Sequence, residues 1–509
     1  MEMKSKTNRQ TRWVSVDTML SIVGEFGPFQ WLLDGLFCFL IVPRTFQILI
    51  MYFAAMNPTW KCVDNSSICL LNGTFSNDDD TRCSMPRSEW EFTEPKEFSI
   101  VTQFDIYCDS EWQIYMTTSI LFIGWAIGAI VIGWVADNYG RKKILYPCLM
   151  TTLLVGLLSA FMPEIYSFVV CRFVIGFFAP GAGVQMFILI SEFVGYKYRP
   201  MAGILIWFFF TISLCVLGLK AYFIRQWKLL MIVCTAPYLF IIVTYKFVPE
   251  SVRWLHIQGK LDEAMGIFKR ISAWNKKELP EDVSLALPPT ISVEHKSSPL
   301  DLFRTRRLVI LNSIQGFAWM VNAIVYYGIS LAANDLSGSL YRDYVLISAV
   351  EFPAAVTAIY LCDRIGRKKT VMWFMVCGSV ACVVVAAIPD EGDGRVARII
   401  LGMLGKFCIT LSYDSIYTWS VELFPTSNRA EGMGYLQITS RVGAASSPWV
   451  AKGLRTLHKT MPFVVMGSLA LVAAGLLSFL PETKGRETTS VDVSNEDVLL
   501  EDVSTKSKT

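Results

Sequence analysis

The sequence is poor in charge. Asp, Glu, Lys and Arg make up only 17% of its 509 residues, against nearer a quarter in soluble proteins. A net charge of +3 is too small to point to nucleic acid. Its three histidines, His256, His295 and His458, lie far apart and offer no metal-ligand spacing. No Gly-x-x-x-x-Gly-Lys-Ser/Thr string could cradle a nucleotide's phosphates, and no Gly-x-Ser-x-Gly elbow could present a nucleophile. These absences argue against an enzyme, an ATP-driven pump, a bound cofactor and a metal site. A cleaved signal peptide is not expected within the first 30 residues. Lys4, Lys6, Arg9 and Arg12 precede no short apolar core with a small-residue cleavage site.

What is there is apolar. Hydrophobic residues make up 53% of the chain and aromatics 13%, gathered in runs of about 20, the length that crosses the hydrocarbon of a bilayer as a helix. Twelve spans are expected, near 32–56, 112–136, 144–162, 166–191, 201–223, 228–248, 309–331, 341–362, 370–389, 397–420, 432–452 and 461–481. Backbone groups in lipid must be satisfied within the segment, so each is a helix. The expected class is an all-α membrane protein of two six-helix bundles, 32–248 and 309–481. A cytoplasmic N-terminus, 1–31, precedes them, a cytoplasmic linker, 249–308, joins them, and a disordered cytoplasmic tail, 482–509, follows.

Arg141, Lys142, Lys143, Lys197, Arg199, Arg364, Arg367, Lys368 and Lys369 fall in short loops of one face. The positive-inside rule makes that face, and both termini, cytoplasmic. The opposite face holds the long connection 57–111. It carries Cys62, Cys69, Cys83 and Cys108, four of thirteen cysteines, which suggest two disulfides with three possible pairings. The same loop carries glycosylation sequons at Asn65 and Asn72. In the linker, Leu261, Ala264, Met265, Phe268 and Ile271 recur at helical spacing, which predicts a surface helix ended by Pro280, Pro288 and Pro289.

One charged turn occurs twice. Gly133-x-x-x-Asp137-x-x-Gly140-Arg141-Lys142-Lys143 is echoed by Asp363-Arg364-Ile365-Gly366-Arg367-Lys368-Lys369. Glycine permits a close helix approach and a tight reversal, and Asp137 can pair with a nearby base or face a helix N-terminus. The turn resembles the loop signature of the major facilitator superfamily, with Asn138 where that family usually has a basic residue. Further strings resemble one branch of it, the organic cation, organic anion and carnitine transporters of solute carrier family 22. They are Gly27-Pro28-Phe29-Gln30, Ser99-Ile100-Val101-Thr102-Gln103-Phe104-Asp105-Ile106-Tyr107-Cys108, Glu192-Phe193-Val194-Gly195-x-Lys197-x-Arg199, Pro249-Glu250-Ser251-Val252-Arg253-Trp254-Leu255, Gly405-Lys406-Phe407, Glu422-Leu423-Phe424-Pro425-Thr426 and Pro481-Glu482-Thr483. The resemblance implies two bundles around a central cavity working by alternating access. Its expected gating residues are Gly133, Asp137, Gly140, Arg141, Glu192, Arg199, Asp363, Arg364, Gly366, Arg367 and Glu422.

The resemblance leaves the cargo open, and charges inside the spans address it. An ionisable residue at membrane depth costs ~2.5–3.5 kcal/mol on insertion scales, so it usually faces a cavity or a partner. Asp34, Arg44, Arg172, Glu351, Lys406, Asp414 and Arg441 are such residues. Lys406 and Asp414, eight positions apart, are expected on nearly one helix face. Within the resembling family an arginine at the position of Arg441 marks anion and carnitine carriers. Yet Glu351-Phe352-Pro353 lacks the lysine that anion carriers tend to place just after it. The expected substrate site therefore combines Arg441, Lys406 and Arg44 with Glu351 and Asp414. Trp319, Tyr327 and Tyr417 are preferred as its aromatic wall among Trp207, Trp319, Tyr326, Tyr327, Tyr413 and Tyr417. Internal pairing, such as Lys406 with Glu351 or Arg44 with Asp414, is the competing structural account.

This mixture suits a small organic zwitterion or cation, carnitine- or betaine-like, carried across the plasma membrane. An organic anion exchanger is the alternative, and a non-transporting receptor or scaffold a third. No sodium or proton site can be read from the sequence, so a coupling ion is not specified.

Overall fold

A computed structural model describes residues 12–63, 82–287, 302–333, 336, 339–389, 394–424 and 429–484. Among them, α1 (Val16–Val23) and α2 (Pro28–Leu49) precede the long connection. Then come α3 (Trp112–Tyr139), α4 (Arg141–Ser159), α5 (Ile165–Phe193), α6 (Arg199–Phe223) and α7 (Trp227–Thr235, continued helically to Thr244). The short α8 (Val252–Ile257) and α9 (Leu261–Asn275) follow. The remainder is α10 (Arg306–Leu331), α11 (Leu340–Ala349) running on into α12 (Glu351–Arg364), α13 (Arg367–Ala387), α14 (Gly394–Leu423), α15 (Arg429–Ala451) and α16 (Met461–Leu477).

With α11–α12 counted as one, twelve of these helices correspond to the expected spans, their ends shifted by about one turn. Ten are long and apolar enough to cross a membrane; α16 is shorter, and α15 is more polar.

Close helix approach comes from small residues. A Cβ on Gly124 of α3 would lie 2.5 Å from the Phe173 carbonyl of α5, and Gly128 and Gly176 abut the opposing backbone directly. Without a water-driven hydrophobic force between helices in lipid, such close packing is a main source of association.

The chain groups by contact into two units. Unit 1 is Met1–Ser292, Ser330–Phe352 and Ala444–Lys459; unit 2 is Val293–Ile329, Pro353–Gly443 and Thr460–Thr509. The boundary cuts across α10, α11–α12 and α15. Aromatic rings explain why the later segments join unit 1. Phe53 stacks on Tyr341 at 5.7 Å and meets Tyr344 edge-on at 4.9 Å. The Ser119 hydroxyl donates to the Ala445 carbonyl at 2.6 Å and accepts from the Trp449 indole at 2.9 Å.

The linker helix forms as expected, with Ala264, Phe268 and Ile271 buried. Its end differs. It stops at Asn275, ahead of Pro280, because Lys276 turns left-handed at φ 51°. Pro288 and Pro289 lie outside the described residues. The N-terminal segment is also more structured than a plain terminus. Strand β1 (Arg12–Val14) pairs in parallel with β4 (Val283–Leu285) of the linker. Asn275 reaches α2, where its Oδ1 accepts the Phe29 amide at 3.0 Å.

The long connection folds around an antiparallel pair, β2 (Trp60–Cys62) with β3 (Trp90–Phe92). Cys83 is bonded to Cys108, and Cys62 is also disulfide-bonded. Cys69, Asn65 and Asn72 lie outside the described residues. The buried Arg82 pairs with Glu111 at 3.1 Å, and Arg87 lies 4.2 Å over the Trp90 ring.

Candidate functional site

The repeated turn has the same construction in both units. Gly140 and Gly366 take φ of +111° and +109°, a left-handed conformation that side chains with a Cβ rarely adopt. Each opens a helix whose first amides lack intrahelical partners. In unit 1 the Glu250 carboxylate accepts the Lys142 and Lys143 amides at 3.0 and 3.4 Å. In unit 2 Glu482 accepts the Arg367, Lys368 and Lys369 amides at 2.9, 3.3 and 3.4 Å. The boundary expected between the last span and a tail at 482 therefore misses a residue that caps α13.

A second layer repeats as well. Arg141 pairs with Asp137 one turn earlier, and Glu192 lies near Ser251 and within electrostatic reach of Arg141. Arg367 lies 3.5 Å from Asp363 and 3.1 Å from Glu422, and the Thr483 hydroxyl donates to Glu422 at 2.5 Å. Arg199 reaches Asp17 at 3.2 Å, and Arg364 stacks 5.2 Å over Tyr360. Gly133 departs from expectation: a Cβ there would meet open space, so no close helix approach depends on it. Asn138 donates back to the Trp134 carbonyl at 2.8 Å.

A Cβ on Gly366 would sit 2.6 Å from a Glu482 oxygen. Replacing Gly366 with alanine is therefore expected to destabilise unit 2 by about 1–3 kcal/mol. Thermal unfolding of the solubilised protein checks this, and an unchanged midpoint would contradict it.

The chemistry-bearing cluster lies within unit 2. Along α10, Trp319 and Tyr326 are seven residues apart, with Tyr327 beside them. Along α14, Lys406, Tyr413 and Tyr417 follow spacings of seven and four, and on α15 Gln437 and Arg441 are one turn apart. These spacings put each set on one helix face. The faces meet in a ring of aromatics. Trp319 lies 4.3 Å from Tyr417 and 6.0 Å from Tyr413, Tyr413 lies 5.7 Å from Tyr417, and Tyr326 lies 5.0 Å from Tyr327 and 5.8 Å from Tyr413. The Trp319 indole donates to Ser420 at 3.0 Å, and Tyr413 shares a hydrogen bond with Ser440.

Two buried cations sit in this ring. Arg441 donates to the Gln437 side chain at 3.0 Å and is hydrogen-bonded to Tyr327, close to Tyr413 and Tyr417. Lys406 donates to the Tyr326 carbonyl at 3.1 Å, with its ammonium 3.2 Å from the centre of the Tyr326 ring. The Gln437 amide oxygen, the Tyr326 carbonyl and aromatic π faces lie against these two cations, and guanidinium and ammonium groups are the side chains that hydrogen-bond carboxylates.

Asp414 is placed differently from expectation. Lys406 is buried while Asp414 is exposed. Eight residues exceed two helical turns by about 80°, enough to move a side chain to the next face. Trp207 is 57% exposed on α6 and belongs to no such ring. Tyr326 and Tyr413 were not preferred from sequence, and Gln437 and Ser440 were missed. The seven-residue step from Lys406 to Tyr413, the seven-residue step from Trp319 to Tyr326 and the four-residue step from Gln437 to Arg441 are the signals that find three of them; Ser440 carries none.

The remaining intramembrane charges lie in unit 1. Arg44 donates to the Ala179 carbonyl at 3.1 Å and lies 5.5 Å over Trp125. Arg172 donates to the carbonyls of Gln47 and Ile48 at 2.7 and 3.4 Å. It thereby satisfies groups at the end of α2 that lack helical partners. Glu351 is buried, within electrostatic reach of Tyr344 and Cys215. Asp34 is buried with only the Cys38 thiol, at 3.9 Å, bonded to it among the described residues.

Comparison with known proteins places these features. Residues 61–494 match the family described as sugar (and other) transporter. The chain is 31% identical to organic cation/carnitine transporter 4 of Arabidopsis thaliana, covering 92% of this chain and 88% of that protein. It is 32% identical to solute carrier family 22 member 2 of Homo sapiens, covering 84% of this chain and 76% of that one. In fold it is similar to the inward-open xylose transporter XylE of E. coli, with a TM-score of 0.63 and 15% identity over 93% of this chain and 98% of that chain.

Proposed function

The chain belongs to solute carrier family 22 within the sugar (and other) transporters, and on that premise we propose that it carries small organic cations and zwitterions across a membrane by alternating access. The observation that carries the zwitterion part is the seat of Arg441, hydrogen-bonded to Tyr327 and Gln437 within an aromatic ring. A guanidinium held this way binds a carboxylate through two parallel hydrogen bonds. The faces of Trp319, Tyr413 and Tyr417 accommodate an onium group. The relative named above whose name states a cargo, organic cation/carnitine transporter 4, belongs to the organic cation and carnitine side, so exchange of organic anions is the disfavoured reading.

The two six-helix halves, 32–248 and 309–481, are the bodies proposed to move. The Gly140 and Gly366 turns, with Glu250 and Glu482, are their proposed inner hardware. The excess of positive residues in those turns supports reading them, and both chain termini, as cytosolic, with the plasma membrane as the proposed location. The cysteine-bearing connection then faces outside.

The test is uptake into cells expressing the full chain, using a permanent organic cation, a betaine-type zwitterion and a dicarboxylate, each with and without sodium. Cation and zwitterion are expected to enter and the dicarboxylate to be refused. Uptake of the dicarboxylate alone would reverse the assignment. A sodium requirement would identify the coupling ion.

A further inference from the structure

At the end of unit 1 that carries the long connection, a cavity of about 460 Å³ opens between the start of α3 and the turn after α15. Three aromatic side chains line it: Trp112 and Tyr115 from α3 and Trp449 from α15. Leu454 and two carboxylates, Asp109 and Glu111, also line it, beside Cys108, Gly453 and Thr456. All of these residues belong to unit 1.

The rings are held in place. Tyr115 meets Trp449 edge-on at 5.6 Å, and the Trp449 indole donates to Ser119 at 2.9 Å. Trp112 and Trp449 nevertheless remain 42% and 43% exposed, so part of each indole surface stays open to a ligand. Indole is the strongest aromatic partner for a cation.

The charges point the same way. Glu111 is already engaged by Arg82 at 3.1 Å and by the Tyr115 hydroxyl at 3.4 Å. Arg82 is itself buried, so its charge is directed at Glu111. Asp109 is exposed and makes no hydrogen bond or ion pair among the described residues. Arg455, in the same turn as Leu454, does not line the cavity. The wall therefore offers indole surfaces and one uncommitted carboxylate, with no cation lining it.

We propose that this cavity is a second binding site, separate from the cluster around Arg441, for an organic cation of the quaternary ammonium class. Its occupant contacts α3 and the turn after α15 together, and so strengthens the junction that Ser119, Ala445 and Trp449 form. The ligand chemistry has two sources, a dissolved cation or the choline headgroup of a lipid.

The experiment is calorimetric titration of the purified full chain with N-methylquinolinium, in maltoside micelles and again in phosphatidylcholine nanodiscs. It needs no transport activity, and because the probe can also enter the cluster around Arg441, Tyr417→Ala distinguishes binding at this cavity from binding there. Asp109→Asn is expected to weaken binding about tenfold, because one charge contact is lost at an exposed position that carries no packing. Trp449→Ala is expected to weaken it further, with Trp449→Phe close to the parent. Tyr417→Ala, in the other cluster, is expected to leave this binding event unchanged. Equal affinity in micelles and nanodiscs assigns the site to dissolved cations, and a weaker apparent affinity in nanodiscs assigns it to choline headgroups. An unchanged affinity in Asp109→Asn, or a loss in Tyr417→Ala alone, overturns the proposal.

Discussion

Arg441→Ala is expected to lower zwitterion uptake about 100-fold while leaving the protein at the cell surface. The guanidinium is buried at 7% exposure among Gln437, Tyr327, Tyr413 and Tyr417. Hydrogen bonds to charged groups contribute roughly 1.5–3 kcal/mol each, and about 2.7 kcal/mol corresponds to 100-fold. A permanent cation has no carboxylate to lose, so its uptake is expected to change by less than about threefold. Arg441→Lys is expected to recover only part of the zwitterion uptake, because an ammonium cannot form the planar two-bond fork. Radiotracer uptake normalised to surface protein measures all three. Zwitterion uptake undiminished in Arg441→Ala would remove the residue from the binding site. Equal losses for both substrates would assign it to helix packing.

The second large effect is expected at Glu482. Its carboxylate accepts three backbone amides at the start of α13, and Gly366 leaves room for it. A negative group there also meets the positive end of a helix, worth ~1–2 kcal/mol when partly buried. Glu482→Ala leaves those amides without their acceptor, and the neighbouring Thr483 to Glu422 and Arg367 to Glu422 bonds lose their anchor. Turnover in proteoliposomes is expected to fall about tenfold, a loss of roughly 1.4 kcal/mol, with equilibrium binding of substrate within about twofold. Glu250→Ala, which occupies the matching place at Gly140 in unit 1, is expected to behave alike. Glu482→Gln keeps an acceptor oxygen but not the charge, and should fall between. Binding lost with turnover preserved would contradict a role in conformational cycling. Asp137→Ala should have a smaller effect in the same direction, because Asp137 is exposed and its pairing with Arg141 is screened by water.

The helices were legible because membrane spanning imposes a length and an apolar run, and a linear pattern expresses both. The turn was legible because it repeats. Its partner carboxylates were written in the chain too, as Pro249-Glu250-Ser251 and Pro481-Glu482-Thr483. Their pairing with Gly140 and Gly366 spans more than a hundred positions, and no local period reveals it.

The site was only partly legible. Arg441 and Lys406 were singled out from their type and depth. Asp414 was grouped with Lys406 by counting residues, and the helical angle separates them. Arg44 and Arg172 are charges at membrane depth, and both bond backbone carbonyls. A charge in a span shows that something must satisfy it, without saying whether backbone or substrate does so.

By itself, the sequence determined the run of apolar helices and the recurrence of the charged turn, and it showed which side-chain types stand within the apolar spans. Those follow from hydrophobic length, repetition and the cost of burying charge, which act along the chain. Tertiary structure decided that Tyr326, Tyr413, Gln437 and Ser440 join Trp319, Tyr327, Tyr417, Lys406 and Arg441 in one ring, and that Glu250 and Glu482 cap the two turns. Both depend on the rotation of each helix about its axis and on which neighbour it packs against. Contacts between residues distant in the chain set these, and hydropathy does not encode them.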